Sequence, residues 1–247
     1  MAPEDTRSPA GDNIPAIPDA LPVLPLRETV IFPLAIAPLA IGQERSIRLI
    51  DDAMRANRLV CVVAQRTADA PAASPADLYE VGTASIVHQL FRAPDGSLRV
   101  ILQGLARVRL VGMVQTEPYF VSRLLLASEI VVTDLEVEAL SRAARDLFTR
   151  LVAVVPDLPN ELASAVEGLS NPREIAYQIA AAAPLGTSDR QTLLELDSVH
   201  DKLRRLIELL QHELTVREMG RQLTQETHQE LSKAQREYFL REQLKTI

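Results

Sequence analysis

A chain of 247 residues with 47% hydrophobic side chains has enough apolar material for one or two packed domains. Its formal charge of −7 is spread unevenly, with 12 basic and 13 acidic residues in 1–127 against 14 and 20 in 128–247, so the second half is a poor surface for nucleic acid. No apolar run reaches the roughly 18 residues that span a bilayer, the start lacks the basic and apolar regions of an export signal, and Cys61 has no second cysteine to pair with; the expectation is a soluble cytoplasmic protein without a membrane partner.

Residues 1–20 are rich in Pro, Ala and Asp and are expected to form a disordered or loosely attached tail. From Leu21 to about Ala127 the signals are mostly β: LPVLPL, VIFPL, LVCVVAQ, VGTASIVHQLF, LRVILQG, RVRLVGMVQ and YFVSRLLLA. One helix interrupts them at SIRLIDDAMRAN, where Ile47, Ile50 and Met54 recur at three and four, with Ser46 as expected N-cap and Asn57 as closing residue. RTADAPAASPADL has no periodicity and reads as an exposed loop, and APDGS, with Pro94, Asp95 and Gly96, is a hairpin turn signal. Short strands with one helix and no βαβ alternation predict a small, curved, partly closed β domain over 21–127.

After Ser128 the period changes to that of helices. Thr133 with Glu136 reads as a capping box before a helix that Pro156 stops. A second helix is expected through NELASAVEGL, and a third from Asn171 as N-cap and Pro172 at the first position to the stop at Pro184, giving a helical bundle over 128–187. The remainder, 188–247, reads as one long helix opened by Ser188 and Gln191, with a stripe of Leu196, Val199, Leu203, Leu206 and Leu210. Its stripe thins after Leu223, and Gly220 predicts a bend or break. Residues 221–247 are expected to form a protruding arm that is helical when supported and frayed otherwise. The chain then stops in mid-helix at QREYFLREQLKTI with no capping residue.

The catalytic motifs that are missing narrow the function. The lysines are Lys202, Lys233 and Lys245, none preceded by Gly, so there is no G-x-x-x-x-G-K-[ST] phosphate loop. No G-x-S-x-G elbow occurs, and His88, His200, His212 and His228 have no metal-ligand spacing. Catalytic, cofactor-binding and metal residues are therefore expected to be absent from this chain. Two apolar features remain. The run VIFPLAIAPLAI, interrupted by Pro33 and Pro38, either supplies core strands or presents Phe32, Leu34 or Ile36 at the surface. Met219 and Leu223, one turn apart across Gly220, either pack on the bundle or form a second foothold for apolar segments.

The stretches LPVLPLRETVIFPLAIAPLAIGQERSIRLIDDA, LVCVVAQR, DLYEVGTASIVHQLFRAPDGSLRVILQGLARVRL and QREYFLREQLKTI, in this order along the chain, resemble the N-terminal region of bacterial Lon, the ATP-dependent AAA+ serine protease family. Residues 128–187 match only in helical character. The resemblance implies a PUA-like curved β domain, a helical bundle and a long helix leading to an ATPase module beyond Ile247, hence an α+β fold. It also implies a larger hexameric protein that uses ATP and Mg and a Ser–Lys dyad located outside this chain. The expected role of the region is to engage unfolded or damaged proteins and short-lived regulators, and to help the parent assemble. A stand-alone Lon-domain adaptor is the alternative; an RNA-binding PUA-like module is opposed by the charge count.

Overall fold

The run LVCVVA is apolar at every position because it lies at the centre of a sheet that is covered on both faces. In the computed structural model, which describes residues 16–67, 74–94, 97–132 and 134–245 and side chains as far as Leu223, two units meet in sequence between Ala127 and Ser128. The first contains β1 (Ala20–Leu26), β2 (Ile36–Ile41), α1 (Glu44–Arg55), β3 (Leu59–Ala64), β4 (Val81–Arg92), β5 (Leu98–Gln115) and β6 (Val121–Leu126). These strands form one sheet in the order β2-β5-β4-β3-β1-β6, with β6 returning to pair with β5. Only β1 and β3 run parallel; the other pairings are antiparallel.

Alternation along β3 sends Val60 and Val62 into a core with Leu24, Leu49, Ile50, Leu98 and Leu102. Leu59, Cys61 and Val63 enter a second core with Leu21, Val23, Val108, Phe120 and Leu124. A strand that serves two cores has no solvent face, hence its unbroken hydrophobicity. Helix α1 seals the first core with Leu49, Ile50 and Ala53. Arg45 lies over the Phe120 ring at 3.9 Å and donates to the Thr116 carbonyl. The Tyr119 hydroxyl donates to Asp52 at 3.0 Å; burial first, and then that carboxylate, push its pKa up.

Several expectations for this unit are corrected. VIFPL is not a strand: residues 30–35 form a turn with Leu34 at φ 67, although Val30, Ile31 and Phe32 are buried. LRVILQG and RVRLVGMVQ are one strand, β5, because Gly104 lets it pass beneath that turn, with a register shift against β4 between Gly104 and Ala106. The N-cap of α1 is Gln43 and Ser46 is a buried first-turn residue; the helix ends at Arg55, and Asn57 instead accepts the Leu59 amide at 3.1 Å. Residues 75–77 of the expected loop form a short 3-10 turn, whereas 68–73, the turn residues Asp95 and Gly96, and residues 1–15 of the expected tail lie outside the described residues.

The second unit is helical: α2 (Leu135–Val154), α3 (Glu161–Glu167), α4 (Pro172–Ala182), α5 (Thr187–Glu195) and α6 (Val199–Lys245). Val137, Ala144, Phe148, Leu151 and Val152 of α2 and Ile175, Ala176 and Ile179 of α4 are buried, together with Leu203, Leu206 and Leu210 of α6. Asn171 caps α4 by accepting the Arg173 amide at 3.0 Å, with Pro172 at the first helical position. The cap of α2 is Asp134, which accepts the Val137 amide at 2.8 Å, and not Thr133, which lies outside the described residues.

The long helical signal from Ser188 onward is two helices. α5 begins after Gly186, without a capping box: Gln191 donates to Glu195 at 2.9 Å. Leu196 is extended, and Ser198 restarts the helix by accepting the Asp201 amide on its hydroxyl at 3.3 Å. The break is occupied by the chain entering the unit, where the Ile130 amide donates to the Asp197 carbonyl at 2.8 Å and the Val199 amide to the Ile130 carbonyl at 3.1 Å. Beside it, Lys202 and Glu129 form a buried ion pair, Nζ to Oε1 2.5 Å, with the lysine 4.6 Å from the centre of the Tyr177 ring. Lys202 is therefore a core residue. α6 continues through Gly220 without the expected break.

Candidate functional site

The turn at 30–35 is held by its backbone. The Thr83 hydroxyl donates to the Ile31 carbonyl at 2.5 Å, the Leu34 amide to the Gly104 carbonyl at 2.9 Å, and the Gly104 amide to the Ala35 carbonyl at 2.9 Å. Gly104 is required here, since a Cβ would collide with the Phe32 carbonyl. The result places the three apolar candidates of this run in different environments. Phe32 is fully buried and cannot present itself at the surface; its role is core packing. Leu34 is half-buried, and Ile36, 65% exposed, opens β2 on the solvent side.

Ile36 does not stand alone. In β2, Ala37, Leu39 and Ile41 turn inward, while Ile36, Pro38 and Ala40 face outward. Their partners on β5 are Gln103, Ile101 and Arg99, and Phe91 of β4 lies opposite Arg99. Cross-strand partners share a face, so Ile36, Pro38, Ile101 and Phe91 lie on one face of three strands, interspersed with Gln103, Gln89 and Arg99. Phe91 is 55% exposed. It was missed in the sequence because the strand's alternation does not say which of its faces meets solvent, and the register places it outside. Around the edge of β2, facing the end of β1, lies an open groove of about 640 Å³.

On the second unit, Val216, Met219 and Leu223 follow at three and four on α6 and are all exposed, so the two candidates there are on the surface and not packed on the bundle. Ile130, Val131, Val132 and Leu135 are also exposed, an apolar stretch that the sequence reading passed over.

Two ionisable groups are shifted by their surroundings. Burial pushes the Cys61 thiol far up, away from a reactive thiolate. The His200 pKa is raised by its hydrogen bond to Glu136, 2.9 Å, and then by Asp201, and the imidazole ties α6 to α2. Among the described residues no three His, Cys, Asp or Glu side chains gather as a metal site, and no helix is long and apolar enough to cross a membrane.

Comparison with known proteins agrees with this picture. The family described as the ATP-dependent protease La (LON) substrate-binding domain matches residues 20–212. Lon protease 1 of Herpetosiphon aurantiacus is 41% identical over 235 residues, which are 94% of this chain and 29% of that protein. Lon protease of Dictyoglomus thermophilum is 37% identical over 232 residues, again 94% of this chain and 29% of that protein. The chain thus spans less than a third of the length of these curated relatives. Among solved structures, the N-terminal domain of Mycobacterium avium complex Lon protease has a TM-score of 0.64 at 21% identity, covering 78% of this chain and 98% of that one. The Lon N-terminal domain protein of Xanthomonas campestris has a TM-score of 0.55 at 20% identity, covering 76% and 97%. At these identities the structures speak for the fold, which is α+β.

Proposed function

The chain belongs to the family of Lon substrate-binding domains, and from that premise we propose that it engages unfolded or damaged polypeptides for a larger ATP-dependent protease. In that protein ATP, Mg, the Ser–Lys dyad and the hexamer's ATPase ring are supplied by segments other than this one. The observation that carries the reading is the outward face that bears Ile36, Pro38, Ile101 and Phe91, held on paired strands rather than on a loop. Apolar side chains set on such a face suit partners that share exposed hydrophobic side chains and little else, because burying apolar area is non-directional. Folded proteins hide those side chains; unfolded ones offer them.

Met219 and Leu223 supply a second apolar foothold on α6 in the same reading. The test is binding of a reduced, alkylated protein, kept unfolded, against its folded form. The 247-residue chain is expected to prefer the unfolded form and to hydrolyse neither ATP nor peptide. Ile36→Ser and Phe91→Ser are expected to weaken binding several-fold with the fold intact, as is Leu223→Ser by a smaller factor. Equal affinity for the folded and unfolded forms would overturn the reading.

A further inference from the structure

The two strands at the open side of the sheet carry backbone edges that nothing in the described residues covers. β1 pairs with β3 along Val23–Leu26, but on its other edge β6 reaches only Ala20–Pro22. Past that point the Val23 amide donates to the Phe120 carbonyl, while the Leu26 carbonyl, on the opposite edge, accepts from Gln65. Strand alternation therefore turns the Pro25 carbonyl to the uncovered edge. β2 pairs only with β5. Because the Ala35 carbonyl accepts the Gly104 amide, Ala37, Leu39 and Ile41 direct their backbone to β5, and Ile36, Pro38 and Ala40 direct theirs outward. Pro25 and Leu26 from β1, and Pro38 and Ala40 from β2, line the same groove of about 640 Å³.

We propose that this groove receives an extended polypeptide segment as an added strand between β1 and β2. The hydrogen-bonding character of its rims selects that occupant. Pro25 and Pro38 have no amide hydrogen, so along the groove each rim offers one more carbonyl acceptor than amide donor. A second copy of either edge would bring the same deficit and pair badly, which is how edge prolines suppress self-association. An unrelated chain with its amides free supplies the missing donors at strand spacing. One end of the groove supplies donors of its own. Ser46, only 7% exposed, lines it, and its hydroxyl makes no hydrogen bond among the described residues. Gln43, the N-cap of α1, leaves the helix amides there without a side-chain cap. A carbonyl of the incoming strand fits that end.

The inference rests on the polypeptide-binding reading above but adds a mode, recognition of backbone in place of side chains. Its test uses the 247-residue chain and a soluble decapeptide of alternating valine, threonine and lysine, compared with the same peptide N-methylated at alternate residues. The unmodified peptide is expected to shift amide resonances of 24–29 and 38–46, and N-methylation to weaken binding at least tenfold. Pro38→Ala, which restores a donor to the β2 edge without adding side-chain area, is expected to tighten binding several-fold. Ala40→Pro is expected to weaken it, with thermal unfolding showing that both variants fold. Equal binding of the methylated peptide, or resonance shifts confined to the outward face of β2, β4 and β5 or to α6, would overturn the groove and leave the polypeptide-binding reading standing. If neither this peptide nor an unfolded protein binds, both fail.

Discussion

Lys202 is the residue whose environment departs most from its chemistry. Its side chain is 1% exposed and that of its partner Glu129 6% exposed, and the Tyr177 hydroxyl accepts a further hydrogen bond from its ammonium at 3.2 Å. Removing two charges from water costs several kcal/mol each, and the pair is tolerated because each ion is the other's compensation. Truncating one partner leaves the other as an uncompensated buried charge. Lys202→Met is therefore expected to lower unfolding stability by about 3–5 kcal/mol, read from urea denaturation. The double variant Lys202→Met/Glu129→Leu is expected to recover most of that loss, since replacing both ions by packed apolar groups is often neutral. A double variant as unstable as the single one would show that the site depends on packing around the lysine stem and not on charge.

At the scale of elements, the turn at 30–35 and β5 depend on each other through Gly104. A methyl group there would meet the Phe32 carbonyl and approach Thr83 Cγ2 at 3.1 Å, and neither backbone nor a packed threonine yields easily. Gly104→Ala is expected to cost about 1–3 kcal/mol, the range for overpacking, and to expose Phe32 to quenchers in the native state. The same element shows where sequence reasoning reaches and where it stops. The alternation in VGTASIVHQLF and the buried run LVCVVA were legible because period and composition act locally. Phe32, half of an ambiguous apolar run, was not, because its burial depends on a glycine 72 positions later that its own neighbourhood does not contain. The restart of the helix at Ser198 was hidden for the same reason: the bond that holds it open comes from Ile130. Of the candidate contact residues, Ile36, Met219 and Leu223 are exposed as the sequence allowed, whereas Phe91 needed the register of β4 on β5 to be found.

Across the whole molecule, burial is unevenly shared along α6. Leu203, Leu206 and Leu210 are fully buried and Leu214 nearly so, whereas Val216, Met219 and Leu223 stand 49–65% exposed. Helical hydrogen bonds without tertiary cover are marginal in water, because each turn then relies on propagation alone. Amides of 216–223 are expected to exchange much faster than those of 203–210 in the dilute chain. Equal, strong protection of both stretches at concentrations where the chain is monomeric would refute the division. An apolar stripe on a weakly protected helix is also well placed to gain order when an apolar partner covers it, so bound polypeptide is expected to slow exchange there.

The tie between Glu129 and Lys202 spans 73 positions of the chain, and that span sets an order of events on the ribosome. The strands and helix of the first unit are complete in sequence by Ala127. A nascent chain that has emerged only to α4 has made the carboxylate of Glu129 but not yet its counter-ion, nor the Asp197 and Val199 backbone that clasps Ile130. The first unit is thus free to fold during synthesis, while the second must wait for the root of α6 to leave the exit tunnel.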